Sequence, residues 1–146
     1  MVLIKENNFE KARNVIRENK GKEIIFSSDN DELNRKILEK EEINVLLLNQ
    51  EHRKDKLKQR DSGLNQVLAK IANKREIAIG INLDEIIFSK SSSKAKILAR
   101  ISQNIKLCNK NKVKMKFIAE RNERNLYDLK ALGTVLGMST EMIKNL

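Results

Sequence analysis

Asp61-Ser62-Gly63-Leu64-Asn65-Gln66-Val67-Leu68-Ala69-Lys70-Ile71-Ala72, followed shortly by Ile77-Ala78-Ile79-Gly80-Ile81, joins a helical stripe to an apolar run. Leu64, Val67, Leu68, Ile71 and Ala72 recur at i, i+3, i+4, i+7 and i+8, one apolar stripe down a helix. Asp61 and Ser62 both stand where an N-cap belongs, so the spacing predicts a helix over Gly63–Lys74. The run that follows is continuously apolar rather than alternating, which suits a strand covered on both faces of a parallel sheet.

Working outward, the same rhythm repeats. Short β-branched or aliphatic runs occur at Val2–Lys5, Glu23–Ser28, Asn44–Asn49, Ile77–Leu83 and Lys114–Ala119. Each precedes a segment with helical spacing: Phe9, Ala12 and Ile16; Leu33 and Ile37; Ile97, Leu98, Ile101, Ile105 and Cys108; Leu126, Leu129, Leu132 and Leu136. Asp29, Ser93 and Asn125 occupy further cap positions. Repeated strand–helix units predict an α/β fold with a parallel sheet; periodicity fits an open sheet and a barrel alike. With no repeat, low-complexity tract or linker, residues 1–146 read as a single domain. Gln50–Arg60 breaks the rhythm: it is a polar, strongly charged loop with one leucine.

The charge is uneven. The chain carries 30 Lys+Arg against 20 Asp+Glu, for +10 and a pI near 9.8. Residues 1–50 hold 9 basic and 10 acidic side chains, residues 51–100 hold 12 and 6, and residues 101–146 hold 9 and 4. The whole excess lies after Gln50, which points to a polyanion partner, since each cation set against a phosphate releases condensed counterions. A solubility charge or a Lys-rich coding bias would give the same total. No window is apolar enough to span a membrane. Met1–Ile16 lacks the basic-then-apolar pattern of a secretory signal, and a single cysteine, Cys108, fits a reducing cytoplasm.

Catalytic motifs are sparse. Neither GxGxxG nor GxxxxGK[ST] nor GxSxG occurs. One histidine, His52, excludes a site built on several imidazoles, and Cys108 lies on an apolar helical stripe beside Ile105. Asp84, Glu85 and Glu120 stand at strand ends, where a barrel carries its active-site rim. Among so many Lys and Arg they read better as ion-pair partners, and no catalytic residue is assigned.

The stretch from Gln59 to Ala72 with the Ile77–Ile81 strand resembles archaeal ribonuclease P protein component 3. That family shows an RDSGLNxVLAK-type helix start, a short basic turn and an AIGxxL strand, here in order. The segment Lys94–Asn111 takes the place of the family's long basic helix. Phe117-Ile118-Ala119-Glu120-Arg121, then Tyr127-Asp128-Leu129-Lys130-Ala131-Leu132-Gly133 and Leu136-Gly137-Met138, is similar to its strand and RDLxxLGxxxGM helix, and the likeness covers about residues 44–146. Ala119-Glu120 replaces the family's serines, and its proline before Asp128 is missing. The family runs on through a further strand and helix, so the resemblance implies a barrel shortened at the carboxyl end, its last wall incomplete or supplied by a partner.

The resemblance implies a TIM-barrel-like fold and a non-catalytic protein subunit of ribonuclease P, supporting removal of the 5′ leader from precursor tRNA by a catalytic RNA that uses Mg²⁺. It implies ribonuclease P protein component 2 as partner, two copies of each, alongside the other ribonuclease P proteins. The Ile97/Ile101/Ile105 stripe gives a separate motive for a partner, unless it packs on the chain's own sheet. Two further readings stand beside it: a stand-alone metal-dependent phosphoesterase using Asp84 and Glu120, and a module that binds protein.

With aromatics at 3%, base stacking is not the main binding mode, so RNA contact should run through phosphates. The candidate contacts are Arg53, Lys54, Lys56 and Lys58 in the basic loop, Arg60 and Asn65 at the helix start, and Lys90, Lys94, Arg100, Arg121 and Arg124. Arg60, Lys58 and Lys56 would flank the helix N-terminus, and Gly63 would admit a close backbone approach. Arg60 could alternatively pair with Asp61 or Asp84. A parallel sheet would bring the post-strand cations to its carboxyl-end rim.

Overall fold

The computed structural model describes all 146 residues. In chain order the elements are β1 (Val2–Lys5), α1 (Phe9–Glu18), β2 (Ile24–Ser27), α2 (Asp31–Lys40), β3 (Val45–Leu48), α3 (Gln66–Arg75), β4 (Ala78–Asn82), α4 (Leu83–Phe88), α5 (Ser91–Lys110), β5 (Met115–Ile118), α6 (Leu126–Leu136) and α7 (Thr140–Lys144). Every expected strand is present.

Helix starts differ from the sequence reading, and asparagine is the reason. Asn65, not Asp61 or Ser62, caps α3, its Oδ1 accepting from the Leu68 N–H at 2.9 Å. Asn30 rather than Asp29 caps α2, accepting from Glu32 and Leu33. Asn82 caps α4, a helix that takes over Leu83 from the expected end of its strand. Asn125 caps α6 as its position predicts. Ser93 lies inside α5, whose cap residue Lys90 makes no side-chain cap bond.

All five strands are parallel in the order β1-β2-β3-β4-β5. The order never reverses, so the sheet has no topological switch point and is not the doubly wound alternative. Successive right-handed crossovers in one direction put every crossover helix on the same face, the arrangement of a barrel wall. Between helices and sheet lies a core of 27 buried residues centred on Phe26, Leu46, Leu48, Ile79 and Met115. Ile97, Ile101 and Ile105 belong to it, so that stripe packs on the chain's own sheet and offers nothing to a partner.

The opposite face carries the alternate residues Ile25, Val45, Leu47, Ala78 and Ile118, with Leu3 packed beside them. They too are buried, although no helix covers that side. Curling explains this. Five strands laid flat would hold the edges about 19 Å apart, beyond the reach of one Lys–Glu pair. Yet Lys5 at the end of β1 meets Glu120, just past β5, at 2.8 Å, and Lys116 on β5 lies 3.9 Å from Glu23 before β2. The sheet is thus rolled into an unclosed barrel wall whose edges are joined by side chains and not by backbone bonds. Gly80 makes the roll feasible at its tightest layer: a Cβ there would lie 3.0 Å from Val45 Cγ1 and 3.1 Å from Leu47 Cδ1.

Candidate nucleic-acid interface

The loop from Asn49 to Asn65 joins β3 to α3 and is clamped by two arginines. Arg53 donates from Nε to the Asn49 carbonyl at 2.6 Å and from both terminal nitrogens to Asp31 at 2.9 Å, a bidentate fork, with Asp61 at 3.4 Å. Arg100 rises from α5 beneath the loop and is only 4% exposed. It donates to Asp55 Oδ1 at 3.0 Å, to the Gln50 carbonyl at 3.0 Å and to the Arg53 carbonyl at 2.8 Å. Gln50 and Asn104 both donate to the Ser62 carbonyl, closing the far end. The Arg100 hydrogen bond, then the Asp61 N–H, hold the Asp55 carboxyl below its usual range.

This geometry sorts the candidate cations. Arg53 and Arg100 are internal fasteners, and Asn65 is a helix cap. Lys54, Lys56, Lys58 and Arg60 are exposed and form no ion pair; Arg60 pairs with neither Asp61 nor Asp84. A tight turn, with Lys56 and Gln59 bonded to each other through their backbones, holds Leu57 and Lys58 at its tip. Lys56 and Arg60 border a groove of about 400 Å³ that runs to the α3 start between Glu32 and Asn65. Lys90, Arg121 and Arg124 are exposed and Lys94 half-buried, again without ion pairs. Gly63, at φ +80°, does admit a close approach, but of Arg53: a Cβ would sit 2.5 Å from its Nη2.

The carboxyl-end mouth is acidic, contrary to the expected gathering of cations there. Its cavity of about 350 Å³ is lined by Asp29, Glu51, Asp84, Glu85 and Glu120, with Arg121 and His52 the only basic side chains. The reason is local: Asp84 and Glu85 occupy the first turn of α4, where carboxylates complement the helix dipole, while the loop cations point outward. On its floor Asn82 donates to Asn49 at 2.8 Å and Asn49 to Ser27 at 3.0 Å, a relay across three strands. The two carboxylates that a metal-site reading would use face other partners. Asp84 accepts the backbone N–H groups of Glu120, Arg121 and Asn122, and Glu120 pairs with Lys5. No group of three or more His, Cys, Asp or Glu is placed to hold a metal ion.

Titration of these groups follows their surroundings. Burial pushes Asp84 up, but the Glu120 N–H, the Asn122 side chain and the Asn122 and Arg121 N–H groups outweigh it, leaving the carboxyl below its ordinary 3.8. Burial pushes Glu85 up against the Gln50 and Glu51 N–H groups. Cys108, in the core, is pushed up to about 12 by burial and is no nucleophile at neutral pH. A group whose folded value is depressed contributes stability above its ordinary value and loses it as pH falls through the folded one. The chain should therefore lose stability below pH 3.8 partly through Asp84. In Asp84→Asn that part of the acid transition should flatten in denaturant titrations at stepped pH. An unchanged acid limb would show that the Glu120–Asn122 loop does not depend on the charge.

The fold and interface together define a singly wound α/β barrel wall with a basic loop fastened to its rim. No protein-family model matches the sequence. The chain is similar to ribonuclease P protein component 3 of several archaea. It is 26% identical to that of Methanococcus maripaludis strain C7 over 132 residues, 90% of this chain and 53% of the relative. It is 29% identical to that of Methanococcus vannielii over 122 residues, 83% and 49%, and 33% identical to that of Methanosarcina acetivorans over 86 residues, 56% and 36%. The chain spans about half the length of the first two relatives. A chain in a cryo-EM structure of archaeal ribonuclease P with mature tRNA superposes with a TM-score of 0.78 at 24% identity, over 99% of this chain and 62% of that one. That match shows a shared fold.

Proposed function

We propose that this chain, as one domain over residues 1–146, is a protein subunit of ribonuclease P. It binds the catalytic RNA and supports removal of the 5′ leader from precursor tRNA. The observation that carries the reading is the likeness to component 3 sequences over most of the chain, in the same fold. The clamped loop adds a physical reason. Lys54, Lys56, Lys58 and Arg60 project from a loop whose backbone is already fixed by Arg53 and Arg100, so little ordering entropy is lost when phosphates bind. Lys90, Lys94, Arg121 and Arg124 extend the same contact, and Asn65, Arg53 and Arg100 contribute by holding it in place.

The RNA supplies the catalysis and uses Mg²⁺; this chain neutralises crowded phosphates and favours the active RNA geometry. The partners are ribonuclease P RNA, precursor tRNA, component 2 in a two-plus-two assembly and the other ribonuclease P proteins, in the cytoplasm. No helix is long and apolar enough to cross a membrane.

The test is a reconstituted precursor-tRNA cleavage assay with parental protein and the Lys54/Lys56/Lys58→Ala triple, beside RNA binding across a salt series. Each lost phosphate contact should flatten the log–log salt dependence by roughly one unit. The triple should therefore lose up to about three units, with weaker cleavage at raised salt. Lys11→Ala, an exposed α1 cation in no ion pair, should behave as parent. Parental protein that neither stimulates cleavage nor binds the RNA would overturn the reading.

A further inference from the structure

The two ends of the barrel wall carry opposite charge. At the carboxyl end the mouth is lined by five carboxylates against one arginine. At the amino end, Lys22, Lys112, Lys114 and Lys116 line two adjoining cavities of about 390 and 430 Å³, opposed by Glu23 and Glu76. Lys116 is the one of the four tied to a carboxylate, Glu23 at 3.9 Å. These lysines come from different connections: Lys22 from the α1–β2 turn, Lys112 from the α5–β5 turn, Lys114 and Lys116 from the β5 strand and its approach. Curling of the sheet is what brings them across one opening, since Lys22 and Lys114 share a cavity although their strands are not neighbours.

Two ordinary explanations fall short. A helix C-terminus favours cations, but Lys116 belongs to β5 and Lys114 directly precedes that strand, both beside Ala78, and neither sits at a helix end. Inward charge on an edge strand discourages aggregation, but one lysine would serve and the α1–β2 turn would not need another. Ammonium groups lining one opening repel each other, and a phosphate backbone laid across it relieves that repulsion.

We propose that the amino end of the barrel wall is a second seat for RNA backbone, separate from the loop over Lys54–Arg60, so that one chain bridges two phosphate-bearing segments. The proposal rests on the RNA-binding reading above. The acidic mouth shares the carboxyl end with the loop seat, and the amino-end lysines lie at the opposite end of the wall.

The test uses the full chain and a fluorescent 12-base-pair RNA duplex of arbitrary sequence, in a salt-series titration and a stoichiometric titration. Parental protein should take two duplexes. The Lys22→Gln/Lys112→Asn/Lys114→Gln variant, all at exposed positions, should take one and show a salt dependence flatter by about two to three units. The Lys54/Lys56/Lys58→Ala variant should weaken the loop seat and leave the amino-end seat at parental affinity, and combining both sets should weaken both. If the amino-end variant keeps parental stoichiometry and slope while the loop variant loses them, the second seat is refuted and the RNA reading stands. If parental protein takes no duplex, both fall.

Discussion

Arg100→Ala should be the most damaging single change outside the apolar core. It removes a guanidinium that is 4% exposed and leaves the Asp55 carboxylate and the Gln50 and Arg53 carbonyls without their donor. Leaving a buried or partly buried carbonyl without its donor costs about 1–3 kcal/mol, and two lose theirs here. For a chain of this size that is a fall in Tm of roughly 10 °C. Arg100→Lys keeps the charge but offers no planar fork, so it should recover only part of the loss. Thermal unfolding of the three proteins decides the matter, and a Tm within a degree or two of parent for Arg100→Ala would show that the loop does not rely on this fastener. The Asp55 carboxyl gives a second readout: freed of Arg100, it should titrate nearer its ordinary value.

Gly63→Ala should come next, by a different route. At φ +80° a residue with a Cβ is strained, at a cost of about 1–2 kcal/mol. The added methyl would also lie 2.5 Å from Arg53 Nη2 and 2.9 Å from its Cζ. A lone flexible side chain would swing away cheaply, but Arg53 is held by Asp31, Asp61 and the Asn49 carbonyl. Displacing it adds the loss of a partly buried bidentate pair, for about 3 kcal/mol in all. Amide hydrogen exchange should show faster opening across residues 50–65 than in the rest of the chain. Because the fault lies in the loop's geometry and not its charge, RNA affinity should fall without a change in salt slope. A flattened slope would instead mean that Arg53 itself meets phosphate.

The sheet was the most legible part of the chain. IIF, VLLL and AIGI are runs that suit a strand covered on both faces, and the strands built from them match the expected spans to within one residue at each end. Helix starts were harder, because several polar residues near each start compete for the cap. Asp61 fits the cap pattern as well as Asn65, but Arg53, eight residues away in sequence, draws its carboxylate off. Similarly, the Ile97/Ile101/Ile105 spacing defines an apolar face without saying what covers it.

Among the candidate contacts, sequence could say that Arg53, Lys54, Lys56, Lys58, Arg60 and Arg100 are cationic and follow strands or head helices. It could not separate Arg53 and Arg100 from the others. Their partners Asp31 and Asp55 lie 22 and 45 positions away, and only folding brings them within 3.0 Å. The amino-end lysines were invisible for the same reason: Lys22 and Lys114 are unremarkable apart and converge only because the sheet curls.

The amino-acid sequence by itself determined the α/β class, the five strands, the basic loop after β3 and the excess of cations beyond Gln50, because each depends on local periodicity or on composition. Tertiary structure alone decided that the sheet winds in one direction and rolls up, that two arginines face inward to fasten the loop, and that the mouth is acidic while the opposite end is basic. Those outcomes depend on which distant side chains meet, and a charge has one sign in the sequence but acts through the neighbours the fold gives it.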